Sequence, residues 1–152
     1  MRTVDRAVVR ATLERVFAVA VDVERWPRFL PHYRWVRVLE RRPPGAALVE
    51  MAAWRPFGPG RWPTRWVSEM EPDTARRRIR YRHVGGITRG MDVEWRIEGS
   101  DGAVHVEIVH AWSGPRWPLI GRLTADWVIG PVFIHGIASR TLAGVRREAE
   151  RR

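Results

Sequence analysis

The chain has 152 residues, 45% of them hydrophobic, and no cysteine, which suits one domain with a single core or a core around a cavity. Without cysteine there is no disulfide framework, thiol nucleophile or thiolate metal site. The net charge of +10 comes from 27 basic residues, every one an arginine, against 17 acidic ones. They are spread from Arg2 to Arg152 rather than gathered on one face, so loose attraction to polyanions is expected but no specific nucleic-acid partner.

Val4, Val8 and Val9 lie in a short apolar stretch that predicts a first strand. Thr12 is a candidate N-cap, and Leu13, Val16, Phe17 and Ala20 follow at helical spacing. Asp22 is placed to stop that helix and cap a second, Val23 to about Leu30, which Pro27 and Pro31 keep short. Period-two alternation then runs through Trp35–Leu39 and Ala46–Trp54, with the turn Arg41–Gly45 between them. A loop is expected at Arg55–Gly60. Trp62, Thr64, Trp66, Ser68 and Met70 share one strand face, and Ile79, Tyr81 and His83 share the next. Met91, Val93, Trp95 and Ile97 follow, then the hairpin Gly99–Gly102, then Val104, Val106, Ile108, His110 and Trp112.

From about Pro118 to Arg151 the spacing predicts one long helix, striped by Ile120, Leu123, Trp127, Ile134, Ala138, Leu142, Val145 and Ala149. A kink or short break is expected at Gly130–Pro131. The order strand, two short helices, six strands, long helix is an α+β layout. Consecutive hairpins make an antiparallel sheet of about seven strands, and only the last helix is large enough to cover its apolar face. The sheet must therefore curve around that helix.

With these elements placed, the chain resembles the START-related helix-grip superfamily, specifically its polyketide cyclase/dehydrase and lipid-transport branch. The resemblance is carried by Thr12–Phe17 followed by Asp22-Val23-Glu24-Arg25-Trp26-Pro27-Arg28-Phe29-Leu30-Pro31. Val93-Glu94-Trp95 and the Leu142–Glu148 stretch also look familiar. It implies a helix-grip fold over residues 1–152, with an internal cavity holding one apolar molecule. It also implies either aldol cyclisation and dehydration of a polyketide, or a non-catalytic carrier or sensor of a lipid, quinone or isoprenoid, as in coenzyme Q-binding proteins. The signature itself supplies no catalytic residue, and fold does not fix function.

The residues point to a site by their placement. Tyr81, His83 and His110 stand among large apolar groups and are the candidate acid–base residues. Each histidine taken alone fits better a strand-end residue bonded to backbone or water, and it is their convergence with Tyr81 that points to a site. Thr64, Trp66, Ser68, Trp95 and Trp112 share those faces and are candidate ligand contacts, with Trp54 near an expected cavity mouth and His135 beside the helix stripe. Trp26, Trp35 and Trp127 are expected as packing anchors. Trp62 and Trp117, with Pro56, Phe57 and Pro118, suit a cavity mouth, a homodimer contact or a membrane-touching lip.

The Arg76–Arg82 run is expected to pair with Asp92, Glu94 and Glu98 on the neighbouring strand. Arg65 and Arg89 are left open as partners of a ligand carboxylate or phosphopantetheine. His105 and His110 are five apart, on opposite strand faces, and no metal cluster, phosphate loop or serine elbow is present, so no metal and no cofactor is expected. No apolar run reaches the ~20 residues of a membrane span, and Met1–Arg6 lacks the apolar stretch of a signal peptide. A cytoplasmic protein without integral membrane contact, binding a small hydrophobic ligand, is the expectation.

Overall fold

A computed structural model of the chain describes residues 1–57, 59–114 and 131–152. β1 (Arg2–Val9) leads to α1 (Leu13–Val21), a 3₁₀ turn (Val23–Arg25) and α2 (Trp26–Phe29). Six strands follow, β2 (Tyr33–Arg42), β3 (Ala46–Phe57), β4 (Gly60–Asp73), β5 (Arg78–Gly86), β6 (Asp92–Ser100) and β7 (Ala103–Ala111). α3 (Pro131–Glu150) comes last. The seven strands form one antiparallel sheet in the order β1-β7-β6-β5-β4-β3-β2. It curves around the C-terminal helix, which is the helix-grip arrangement.

The local reasons are those of the sequence. Thr12 caps α1, its hydroxyl accepting from the Arg15 amide at 3.1 Å, while the Asp101 carboxylate takes the Leu13 amide at 2.9 Å. Asp22 ends α1 as predicted but makes no side-chain capping bond to the next turn. Pro27 sits in the first turn of α2, where its missing amide proton costs nothing. The β6–β7 connection is the expected tight hairpin. Gly99 has φ +114° there, and an added Cβ would lie 2.5 Å from the Ala103 carbonyl.

One expectation about boundaries changes. The loop expected at 55–60 is strand almost to its tip, because β3 continues to Phe57 and Arg55 pairs with Trp62. β2 reaches only to Ala53, so beyond it β3 and β4 form a two-stranded ribbon with free outer edges, where prolines are tolerated. Of the expected long helix, α3 is the described part, from Pro131; the kink or short break expected at Gly130–Pro131 falls at the edge of residues outside those described. The expected segment from Pro118, with Trp117, Ile120, Leu123 and Trp127, lies outside the described residues.

The inner sheet face and α3 share one core. Val49, Ile79, Ile97, Val104, Val106 and Ile108 come from the sheet, Leu142, Val145 and Ala149 from the helix, and Val16 and Ala20 from α1, all buried. Leu30, fully enclosed, lies against Gly144 of α3. The outer face carries the charges. Arg78 bonds Glu94 at 3.0 Å and Glu98 at 3.2 Å, Arg80 bonds Glu94 at 3.3 Å, and Arg82 bonds Asp92 at 2.9 Å. Arg78, Arg80 and Arg82 of the arginine run are thus neutralised by the neighbouring strand, as the alternation predicted. No described helix is long and apolar enough to cross a membrane.

Candidate functional site

Between the sheet and α3 lies a cavity with about 70 Å³ open to the centre of a water molecule. At roughly 10–15 Å³ per water this holds about five, the bulk of one six-membered ring. Its floor is built by Met51, Trp66, Tyr81, His83, Val93, Trp95, Ile108 and His110, with Met91 at the head of β6. Strand periodicity explains that choice. Inward positions of β4 to β7 are the even or odd members of each alternation, and the register sets Met70, Tyr81, Val93 and His110 in one row across four strands. The roof is one face of α3, with Phe133, Ile134, Ile137, Ala138 and Thr141 at helical spacing. Trp26 and Tyr33 form the end wall, and Thr88 reaches in from the β5–β6 turn.

The walls are aromatic in a continuous arc. Trp95 lies 5.6 Å from Trp26, Trp26 is edge-on to Tyr33 at 5.3 Å, and Tyr33 meets Trp66 at 6.1 Å. Trp66 is stacked on His83 at 5.9 Å with only 13° between the planes. Such faces favour a flat guest, since ring pairs add to plain area burial.

The polar groups divide into satisfied and unsatisfied. His83 Nδ1 is 2.6 Å from Thr88 Oγ1, which fixes the imidazole plane. The Tyr81 hydroxyl and His110 Nδ1 are enclosed and have no hydrogen-bond partner among the described residues. Burial pushes the His83 imidazolium down to about 3, helped by His110, and the His110 imidazolium down to about 4. Both rings are therefore neutral at pH 7. Burial also holds the Tyr81 phenol well above its ordinary range, with Tyr33 adding to the effect.

Of the residues singled out from sequence, Tyr81, His83, His110, Trp66 and Trp95 meet around this space. The other five do not line it. Ser68 is buried opposite His83, its hydroxyl enclosed and unpartnered. Trp112 is buried and donates its indole N–H to the Arg89 carbonyl at 3.1 Å. Thr64 is half-buried on the β3–β4 ribbon, opposite Ala53. Trp54 falls on the outer face, because Met51 and Ala53 take the inward positions, and lies between the guanidinium groups of Arg34 and Arg61. His135 lies one step off the helix stripe and turns to β1, where its Nδ1 bonds the buried Asp5 carboxylate.

Other expectations resolve in the same way. Trp26, read as a packing anchor, also forms cavity wall, whereas Trp35 sits on the outer face bonded to Glu50. Arg65 pairs with Glu50 at 3.0 Å on that face, and Arg89 is exposed in the β5–β6 turn, so neither lines the cavity. Missed altogether were Tyr33, Thr88 and Thr141. Thr141 had a signal, three residues beyond Ala138 on the roof face. Thr88, in a turn whose shape only the fold defines, had none. Among the described residues no three His, Asp or Glu side chains converge to hold a metal ion.

Comparison with known proteins gives a consistent answer. Residues 9–133 match the family model described as polyketide cyclase / dehydrase and lipid transport. A protein described as a putative polyketide cyclase from Streptomyces halstedii is 34% identical over 98 residues, spanning 63% of this chain and 86% of that one. A solved structure from Thermus thermophilus superposes with TM-score 0.81 at 19% identity, over 98% of this chain and 97% of the other. The Zhui aromatase/cyclase from a Streptomyces species does so with TM-score 0.66 at 22% identity, covering 98% and 86%. The two structures, at such identities, speak to the fold. The family match, which spans most of the chain and includes the strands that carry Tyr81, His83 and His110, places this protein in the polyketide cyclase/dehydrase and lipid-transport family.

Proposed function

We propose that the protein binds a compact, oxygenated aromatic or polyketone molecule in this cavity and promotes its ring closure with loss of water. The observation that carries the reading is the pair of enclosed, unpartnered polar groups on the floor, the Tyr81 hydroxyl and His110 Nδ1. A buried polar group left without a partner costs about 1–3 kcal/mol, which an oxygenated guest would recover. The Streptomyces halstedii relative, described as a putative polyketide cyclase, supports the cyclase reading, while the family description covers lipid transport as well.

In the proposed reaction His110 Nδ1 removes a proton from a methylene flanked by two ketones. The resulting enolate carbon forms the new C–C bond to a second ketone carbon. The Tyr81 O–H donates to that ketone oxygen as it gains charge, and the imidazolium then protonates it to a hydroxyl. His110, neutral again, takes a neighbouring C–H proton and returns it to the departing hydroxyl, which leaves as water, giving one ring and one double bond. The imidazolium is disfavoured in the empty cavity, but an enolate beside it supplies the missing counter-charge. Trp66, Trp95 and Trp26 hold the chain flat, and His83, fixed by Thr88, shapes the wall.

The test is turnover of a short poly-β-ketone analogue alongside binding of its aromatic product. H110A and Y81F should slow turnover at least tenfold more than they weaken product binding; unchanged turnover in both removes these residues from the reaction. The second reading, a non-catalytic carrier of a lipid, quinone or isoprenoid, is favoured by the low basicity of both histidines. A co-purified lipid and no turnover by wild type would establish it instead.

A further inference from the structure

The end of the fold where α3 begins carries arginines without carboxylate partners. β2 pairs with β3 only as far as Ala53, and β5 with β4 only from Trp66, so the β3–β4 ribbon runs on past both. It reaches the first turns of α3, where the Arg55 guanidinium covers the Phe133 ring at 5.0 Å. Phe133 and Thr88 of the β5–β6 turn both line the cavity, so ribbon, turn and helix start frame one end of it. Residues 51–68, 83–91 and 131–139 build this end and contain Arg55, Arg61, Arg65 and Arg89 but no aspartate or glutamate. Arg34 of β2 joins them. Glu50, further back on β3, holds Arg65 at 3.0 Å, but among the described residues no carboxylate pairs with Arg34, Arg61 or Arg89.

Apolar groups stand among these charges. The guanidinium groups of Arg34 and Arg61 lie 4.6 and 5.4 Å from the Trp54 ring on the outer side of the ribbon. Trp62 is 54% exposed, and since Trp54 pairs with Pro63, alternation puts Trp62 on the inner side. Ile87, 38% exposed, adds an aliphatic group on the β5–β6 turn. A guanidinium stacked on an indole holds its charge level with an apolar ring and leaves N–H groups at its edge for phosphate. Indoles and arginines at one level match the boundary between lipid headgroups and acyl chains. An acidic protein would meet one side of the ribbon. Here apolar groups occupy both sides of it and the neighbouring turn, an arrangement that a fluid headgroup layer surrounds.

We propose that this end of the molecule docks on an anionic phospholipid bilayer, with Arg34, Arg61 and Arg89 on lipid phosphates and Trp62 and Ile87 at the headgroup–acyl boundary. The contact is peripheral, with no segment crossing the bilayer. Seated in this way, the cavity end framed by Phe133 and Thr88 faces the lipid. A poorly soluble guest then passes between bilayer and cavity with little exposure to water. The inference goes beyond the ring-closure reading and holds equally for a carrier, because it concerns how a guest arrives.

The test is co-sedimentation of the full chain with vesicles of phosphatidylcholine alone, or of phosphatidylcholine and phosphatidylglycerol at about 2:1, in about 0.15 M salt. Wild type should prefer the anionic vesicles at least tenfold. R34Q/R61Q should weaken that binding about 25-fold, at about fivefold per arginine, and R89Q about fivefold. R10Q/R76Q makes the same change in net charge with exposed residues at the opposite end of the sheet, and should cost no more than about threefold. W62S leaves the charge unchanged and should weaken binding by about threefold or more. Equal losses in the two double variants would make the attraction one of bulk charge, and W62S binding as tightly as wild type would leave no apolar seat; either result overturns the proposal. So does a wild type that ignores both vesicles while R34Q/R61Q weakens its hold on heparin, which would assign this end to a soluble polyanion. The assay reads membrane contact alone, so its failure leaves the turnover test of the cavity untouched.

Discussion

Replacing Ala138 by leucine tests whether the cavity is the binding site. Ala138 is 3% exposed on the roof face of α3 and lines the space directly. Leucine adds three carbons to a void with about 70 Å³ open to water centres, enough to occupy most of it. Burying three carbons is worth about 2.4 kcal/mol gross, at ~0.8 kcal/mol each. Crowding against Trp95 and Ile108 offsets part of this, and leucine is almost as good a helix former as alanine. The net expectation is a gain of about 1 kcal/mol, or a few degrees in Tm for a chain of this length. Binding of a one-ring ligand should fall at least tenfold. Scanning calorimetry reads the first quantity and titration calorimetry the second. A stable A138L that binds a ring ligand as well as wild type would refute the claim that guests occupy this space.

Other outcomes follow from burial and charge. His83 and His110 have imidazolium values lowered to about 3 and about 4, whereas in the unfolded chain they titrate near 6.5. Between those limits the unfolded state binds more protons, so stability is fully present above about pH 6.5 and is lost progressively as pH falls towards 4. Urea midpoints from pH 7.5 to 4.5 should show the fall, and H110F should flatten it; an equally steep H110F profile would assign the loss to other groups. Gly144→Ala places a methyl 2.0 Å from Cδ2 of the fully buried Leu30. It should destabilise by about 1–3 kcal/mol despite the ~1 kcal/mol helix preference for alanine, and a higher Tm would contradict this packing. Ser68→Ala removes an enclosed hydroxyl without a partner and should stabilise by about 1 kcal/mol in chemical denaturation, whereas a loss would mean the hydroxyl is bonded in solution.

Alternation by two and by three to four, caps and turn residues are local properties, and they were legible in the amino-acid order. They gave the strands and α1, the inward faces bearing Trp66, Tyr81, His83, Trp95 and His110, and the neutralisation of Arg78, Arg80 and Arg82 by the adjoining strand. The β3–β4 ribbon was misread because its prolines look like loop residues until β2 and β5 are known to stop short of it. Trp54, expected near a cavity mouth, and His135, expected beside the helix stripe, both turn away from the cavity, since a single step along a strand or helix exchanges an inner face for an outer one. Ser68 and Trp112 lie on the expected face, yet which inward residues border empty space depends on the volume of everything packed around them. Tyr33, Thr88 and Thr141 come from β2, a turn and α3, and only the closing of the sheet on its helix brings them to one cavity. Periodicity decides which way a side chain faces; what it meets there is set by segments far away in the chain, and that is a property of the assembled fold.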